Sequence, residues 1–191
     1  MINFIMEYIK IYKLKITVYL IITFVLIGLS LIYPYIQSLF INGIVYSTKP
    51  LNYSGNLINN FSFTFKDGKI IDFTAEEGYD ALKELLDTDE GSRYLGEVAL
   101  VPYNSPISNS NILFYNTLFD ENASCHLALG KAYPSCIKGG EEMNDEELIN
   151  ASSNISLTHV DFMVGSKDLN IIGVTHDGKE IQVFKDGNFA F

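Results

Sequence analysis

The sequence predicts an α+β domain preceded by one membrane-spanning helix. Three observations carry this. A long uncharged apolar run lies near the N-terminus, strand-like alternation surrounds Asp-Gly turns, and only one segment keeps helical spacing over several turns. The chain has 191 residues and 48% hydrophobic residues, enough for one buried core. Its net charge of −10 argues against nucleic acid as a partner. That charge is unevenly spread. Residues 1–50 hold Lys10, Lys13, Lys15 and Lys49 against Glu7, and the acidic excess lies beyond them. The two halves therefore read as separate segments, with boundaries at 1–42 and 43–191.

No charged residue occurs from Ile16 to Thr48. The run ITVYLIITFVLIGLSLIYPYI, residues 16–36, is long enough as a helix to cross a hydrocarbon layer of roughly 30 Å. Lys10, Lys13 and Lys15 precede it, which predicts a single pass with the N-terminus in the cytoplasm. No small-x-small cleavage site closes the run, so a removed signal peptide fits less well. The stretch YIKIYKLKITVYLIITFVLIGLSLIYPYIQSLFING also resembles the first membrane helix of ABC exporters. The other exporter parts, including the Walker A loop, are missing.

Beyond Lys49 the elements follow in order. FSFTFKDGKIIDF alternates around Asp67-Gly68 and predicts a β-hairpin. TAEEGYDALKELLDT predicts a helix capped by Thr74 and Glu77, with Ala81, Leu82, Leu85 and Leu86 as its apolar face. GEVALVPY reads as a short strand, and Asn104–Ser110 as a polar loop. ILFYNTLFDENASCHLALGKAY is expected to hold a short helix around Cys125–Gly130. CIKGGEEMNDEELINAS reads as a charged surface loop and helix, and LTHVDFMVGS as a strand. The last twenty residues carry His176-Asp177-Gly178 and Asp186-Gly187, two further turns between strands. His176 reads as a turn residue. Cys125 and Cys136 form no C-x-x-C pair and imply reduced thiols.

Several ionisable residues are candidates for chemistry. His159 and Asp161 are two apart on a strand, so both project to one face. An imidazole and a carboxylate aimed at one point suit zinc or cobalt. His126 could add a second imidazole, and Glu97, at the start of EVALV, a bridging carboxylate. Two metals about 3.5–4 Å apart can polarise a peptide carbonyl and activate a water. Each residue also has a plainer reading. H-x-D can be a hydrogen-bonded structural pair, and Glu97 a solvated edge residue. DENASCH can be a helix entry capped by Asp120 or Asn122, and Tyr133 a packing residue.

The segments STKPLNYSGNLI, FTFKDGKIIDF, YLGEVALVPYNSPISNS, ILFYNTLFDENASCHLALGKAYP, THVDFMVGS and DGNFAF resemble the C-terminal portion of the M29 metallopeptidases, the thermophilic aminopeptidase family. The resemblance runs from about residue 43 to the end. It implies an exopeptidase that removes N-terminal residues from peptides with two divalent ions (zinc, cobalt or manganese). It implies Glu97, His126, His159 and Asp161 as metal ligands, and Tyr133 as the group that steadies the tetrahedral intermediate. Glu121 matches an acidic site residue, a ligand or base. It further implies a cytosolic homodimer, which disagrees with the location given by the N-terminal segment.

One family feature is missing. A further Glu ligand, in an N-x-P-T-E-E-V-F-T-x-P stretch, should fall near Leu31, inside the apolar run. The family's large N-terminal domain is absent too. Three readings follow: an aminopeptidase with intact or impaired chemistry, an inactive membrane-tethered peptidase-like module, or a non-functional fusion of an exporter fragment with an aminopeptidase fragment.

Overall fold

The computed structural model describes residues 8–12, 17–18 and 41–191. The expected membrane helix at 16–36 lies outside these, except for Thr17–Val18. Those two residues form a short strand β2, paired antiparallel with β1 (Tyr8–Tyr12). Both are β-branched, a composition that suits a strand. Among the described residues, no helix is long and apolar enough to cross a membrane.

Among the described residues strands dominate, all pairings are antiparallel and the helices are short, as the α+β reading expects. The first group is β3 (Gly43–Tyr46), β4 (Leu51–Tyr53), β5 (Asn56–Lys66) and β6 (Lys69–Glu77). β5 is its spine, flanked by β3, β4 and β6. The β5–β6 turn is Asp67-Gly68, as the alternation predicts, and both residues have positive φ. Asn60, at φ 47°, breaks the alternation of β5. Ile58 before it and Phe61, Phe63 and Phe65 after it are all buried in the core.

Helix α1 (Tyr79–Leu86) buries Ala81, Leu82, Leu85 and Leu86, the four residues its spacing predicts. Its start differs from the expectation. Thr74 and Glu77 belong to β6, and Gly78 takes the cap position at φ 73°. A Cβ on Gly78 would lie 2.4 Å from the Leu57 carbonyl oxygen, so β5 can come close only to glycine. The strand pairing of β6 outcompetes a Thr74 cap.

The second group is β7 (Leu95–Ala99), β8 (His126–Gly130) and β9 (His159–Met163), in the order β7-β8-β9. The short helix expected at Cys125–Gly130 is instead strand β8, buried along its whole length between two partners. Apolar residues at every position suit a central strand as well as a helix turn, and the cross-strand pairing decides. Helices α2 (Pro106–Ser110) and α3 (Thr117–Asp120) fill the β7–β8 connection. Ser105 caps α2 within the segment expected to be a loop. Asn116, not Asp120 or Asn122, caps α3. Asp120 is buried and accepts the N–H groups of Phe114 and Asn116. Helix α4 (Asp145–Asn150) lies in the charged insert between β8 and β9 with a complete capping box at Asn144 and Glu147.

The core lies between these two groups. Phe162 of β9 packs its ring 5.1 Å from Phe63 and 5.8 Å from Phe61, with Leu127 and Leu129 of β8 beside it. Thr48 ties the groups together: its N–H donates to the Met163 carbonyl and its hydroxyl to the Gly165 carbonyl. The C-terminal strands β10 (Asn170–Val174), β11 (Glu180–Lys185) and β12 (Asn188–Phe189) form the expected hairpins, and β1 pairs with β10.

Candidate metal centre

The site is built on the face of β7-β8-β9 that points away from the phenylalanine core. Cross-strand register sets Glu97 opposite Ala128, and Ala128 opposite Asp161. Two carboxylates therefore flank one methyl group across three strands. His126 is two residues before Ala128 and His159 two before Asp161, so strand alternation puts both imidazoles on that face. Ala128 is fully buried and forms the floor. A larger side chain there would fill the space where the four groups meet.

His126 Nε2 lies 3.4 Å from Glu97 Oε1 and 4.0 Å from Asp161 Oδ1. His159 Nε2 lies 3.6 Å from Glu97 Oε2 and 3.5 Å from Asp161 Oδ1. Glu97 thus turns one oxygen to each imidazole. The other ring nitrogens face carbonyls: His159 Nδ1 is 2.6 Å from the Lys131 oxygen and His126 Nδ1 is 3.4 Å from the Ser124 oxygen. A carbonyl only accepts, so Nδ1 carries a proton in each ring, and Nε2 is the atom turned to the carboxylates.

No lysine or arginine among the described residues pairs with Glu97 or Asp161. His126 and Asp161 are buried, and Glu97 is partly so. Such a set of acceptors fits a cation. Ligand atoms from Glu97, His126 and Asp161 all lie within 4.8 Å of one another. Tetrahedral zinc with bonds near 2.0–2.2 Å would hold its ligands about 3.3–3.6 Å apart. The observed separations need only small side-chain adjustments to reach that.

Two further residues border the centre. The ring of Tyr133 lies 4.7 Å from that of His159, and half of Tyr133 is exposed. Burial, then the charges of Asp161, Glu97 and Glu121, push its phenol up. Glu121, in the single turn after α3, is pushed up by burial and by Asp161 and Glu97, which outweigh the pull of His126 and His159. All six sequence-predicted residues therefore lie at or beside one place. The residues missed were Ala128 and the carbonyls of Ser124 and Lys131. Alternation in HLALG would have revealed Ala128 had that segment been read as a strand.

These features gather two histidines and two carboxylates on one face of an antiparallel sheet, with Glu97, His126 and Asp161 close enough to hold one ion. The family model for thermophilic metalloprotease (M29) matches residues 32–189, and the chain belongs to that family. It is 64% identical over 151 residues to Aminopeptidase 2 of Geobacillus stearothermophilus, and equally to Aminopeptidase AmpS of Bacillus subtilis; each alignment covers 79% of this chain and 37% of the relative. The wild-type AmpT structure from Thermus thermophilus superposes with a TM-score of 0.73 at 38% identity, covering 81% of this chain and 38% of that one. The chain thus spans little more than a third of the length of these relatives.

Proposed function

We propose that this chain carries the metal-binding part of a metal-dependent aminopeptidase that acts on the N-terminal residues of peptides. The observation that supports this most is the gathering of two imidazole Nε2 atoms and two carboxylates on one sheet face with no lysine or arginine among the described residues paired to them. Glu97, His126 and Asp161, with His159 beside them, would hold the divalent ions. Zinc, cobalt and manganese all suit this mixed set of nitrogen and oxygen donors.

When bound, such ions polarise the scissile carbonyl and activate a water. The chain's own groups do the rest. Tyr133 keeps its proton, because its phenol is pushed up, and donates it in a hydrogen bond to the oxygen that becomes negative. Glu121, pushed up by burial and its acidic neighbours, is placed to take and return a proton. The Lys131 and Ser124 carbonyls keep both imidazoles in the ligating tautomer.

A second reading is favoured by the residues near Leu31. The resemblance implies a further Glu ligand near Leu31, where the apolar run has no carboxylate, so a second ion would lack that ligand. The chain would then bind metal with weak turnover or none. On either reading the family resemblance implies a homodimer in the cytoplasm. The run at 16–36 would act as a membrane tether in the module reading, and would be a borrowed piece in the fusion reading.

The test is release of leucine from leucyl peptides by the full chain with cobalt or zinc. Activity lost with EDTA, and lowered on the order of 100-fold or more in His126→Ala, supports the aminopeptidase. A His126→Ala chain as active as the parent would sink the assignment.

A further inference from the structure

The loop after β8 is held in an unusual way. Asn154 Nδ2 faces three carbonyl oxygens, those of Gly130 at 2.6 Å, Gly91 at 2.8 Å and Tyr94 at 3.5 Å. Its backbone carbonyl accepts the Ala132 N–H at 2.9 Å. Asn154 therefore grips the residues on both sides of Lys131. Lys131 itself donates its N–H to the Thr158 carbonyl at 2.7 Å, and its own carbonyl accepts from His159 Nδ1 at 2.6 Å. Gly130, at φ 94°, makes this approach possible: a Cβ there would lie 2.2 Å from the Thr158 oxygen. Two residues after Lys131, the Tyr133 ring rests against the His159 ring.

We propose that Asn154 is a positioning residue for the metal centre, acting through the Lys131 carbonyl on the orientation of His159. The proposal rests on the metal-centre reading above. The amide's two N–H groups face three carbonyls from two segments, Gly91–Tyr94 and the end of β8, and its oxygen could not replace its nitrogen there. Its removal takes away the side-chain tie to the Gly130 carbonyl, one residue before Lys131, so the Lys131 carbonyl fixes Nδ1 less firmly and Nε2 loses its aim. A residue that merely stitches a loop would affect stability alone.

The test uses the full chain, with cobalt titrated calorimetrically into the parent, Asn154→Asp and Asn144→Ala, and Tm measured for each metal-free chain. Asn154→Asp keeps the size and removes both donors. Asn144→Ala breaks the cap of α4, away from the centre, and serves as a control for lost stability. Asn154→Asp should weaken cobalt binding about 10–100-fold, whereas Asn144→Ala lowers Tm and keeps affinity within about twofold. Parent-like cobalt affinity in Asn154→Asp overturns the proposal while leaving the metal centre standing. A parent that binds no cobalt overturns both. Should Asn154→Asp fail to fold, Asn154→Ser keeps one donor, and unchanged affinity in that variant is equally fatal.

Discussion

The β5–β6 hairpin and the β7-β8-β9 sheet are built from the same alternation of side chains but use it differently. In the hairpin, neighbours in sequence are neighbours in space, and the inward face is Phe61, Phe63 and Phe65. In the second sheet, the three strands come from distant parts of the chain. One face joins the same phenylalanine core through Phe162, and the other collects Glu97, His126, His159 and Asp161. The apolar face supplies rigidity, so that the polar face can hold like groups close together. Alternation thus lets a single strand, β9, serve stability with its even-numbered residues and chemistry with its odd-numbered ones.

The largest effect should come from breaking the seam between the two. Phe162→Ala removes the ring that packs on Phe61 and Phe63, next to Asp161 in sequence. It should cost about 3–5 kcal/mol in denaturant unfolding. If the two faces are coupled as described, metal affinity falls with it. A stable variant with parent affinity would show that the faces are independent.

A smaller effect should come from the segment that leads into β9. Asp89 accepts from the Leu157 N–H at 2.6 Å, the Ser156 hydroxyl at 2.8 Å and the Ser92 N–H at 2.9 Å. Burial opposes its ionisation, but these hydrogen bonds outweigh it and hold the carboxyl below its usual value of 3.8. A folded-state pKa below the unfolded one adds stability above the unfolded value, and that stability is lost as pH falls through the folded value. Asp89→Asn should lower Tm at pH 7 by about 2–4 °C. The gap between variant and parent should close below pH 3.8. A constant gap across that range would contradict the assignment.

The smallest perturbation is chemical. Cys125, just before His126, is buried, and burial pushes its thiol up to about 11. Cys136 is exposed. Iodoacetamide at pH 8 should label Cys136 alone in the folded chain and both thiols in denaturant, read by mass spectrometry. Labelling of Cys125 in the folded state would mean that the sheet carrying the site opens more readily than its packing implies.

The same comparison explains what the sequence could reveal. The β5–β6 hairpin, the face of α1 and the terminal turns were legible because their signals are local: Asp67-Gly68, the spacing Ala81-Leu82-Leu85-Leu86, and Asp186-Gly187. His159 and Asp161 were legible as a pair on one face for the same reason. That Glu97, Ala128 and Asp161 form one row was not, because it depends on pairing between segments some thirty residues apart. Strand β8 was misread because uniform burial erases its period, and the start of α1 because Thr74 has a better partner in β5. The resemblance implies Glu97, His126, His159 and Asp161 as ligands, and the register brings these four candidates onto one sheet face.

The most direct measurement is the number of cobalt ions retained by the full chain after equilibrium dialysis, compared with Glu97→Gln. One tightly held ion per chain, with a weaker second, and loss of both in Glu97→Gln, is the expected result, because Glu97 turns an oxygen to each imidazole. A parent chain that retains no stoichiometric cobalt, or a Glu97→Gln chain that retains it unchanged, would contradict the reading of this sheet face as a metal centre.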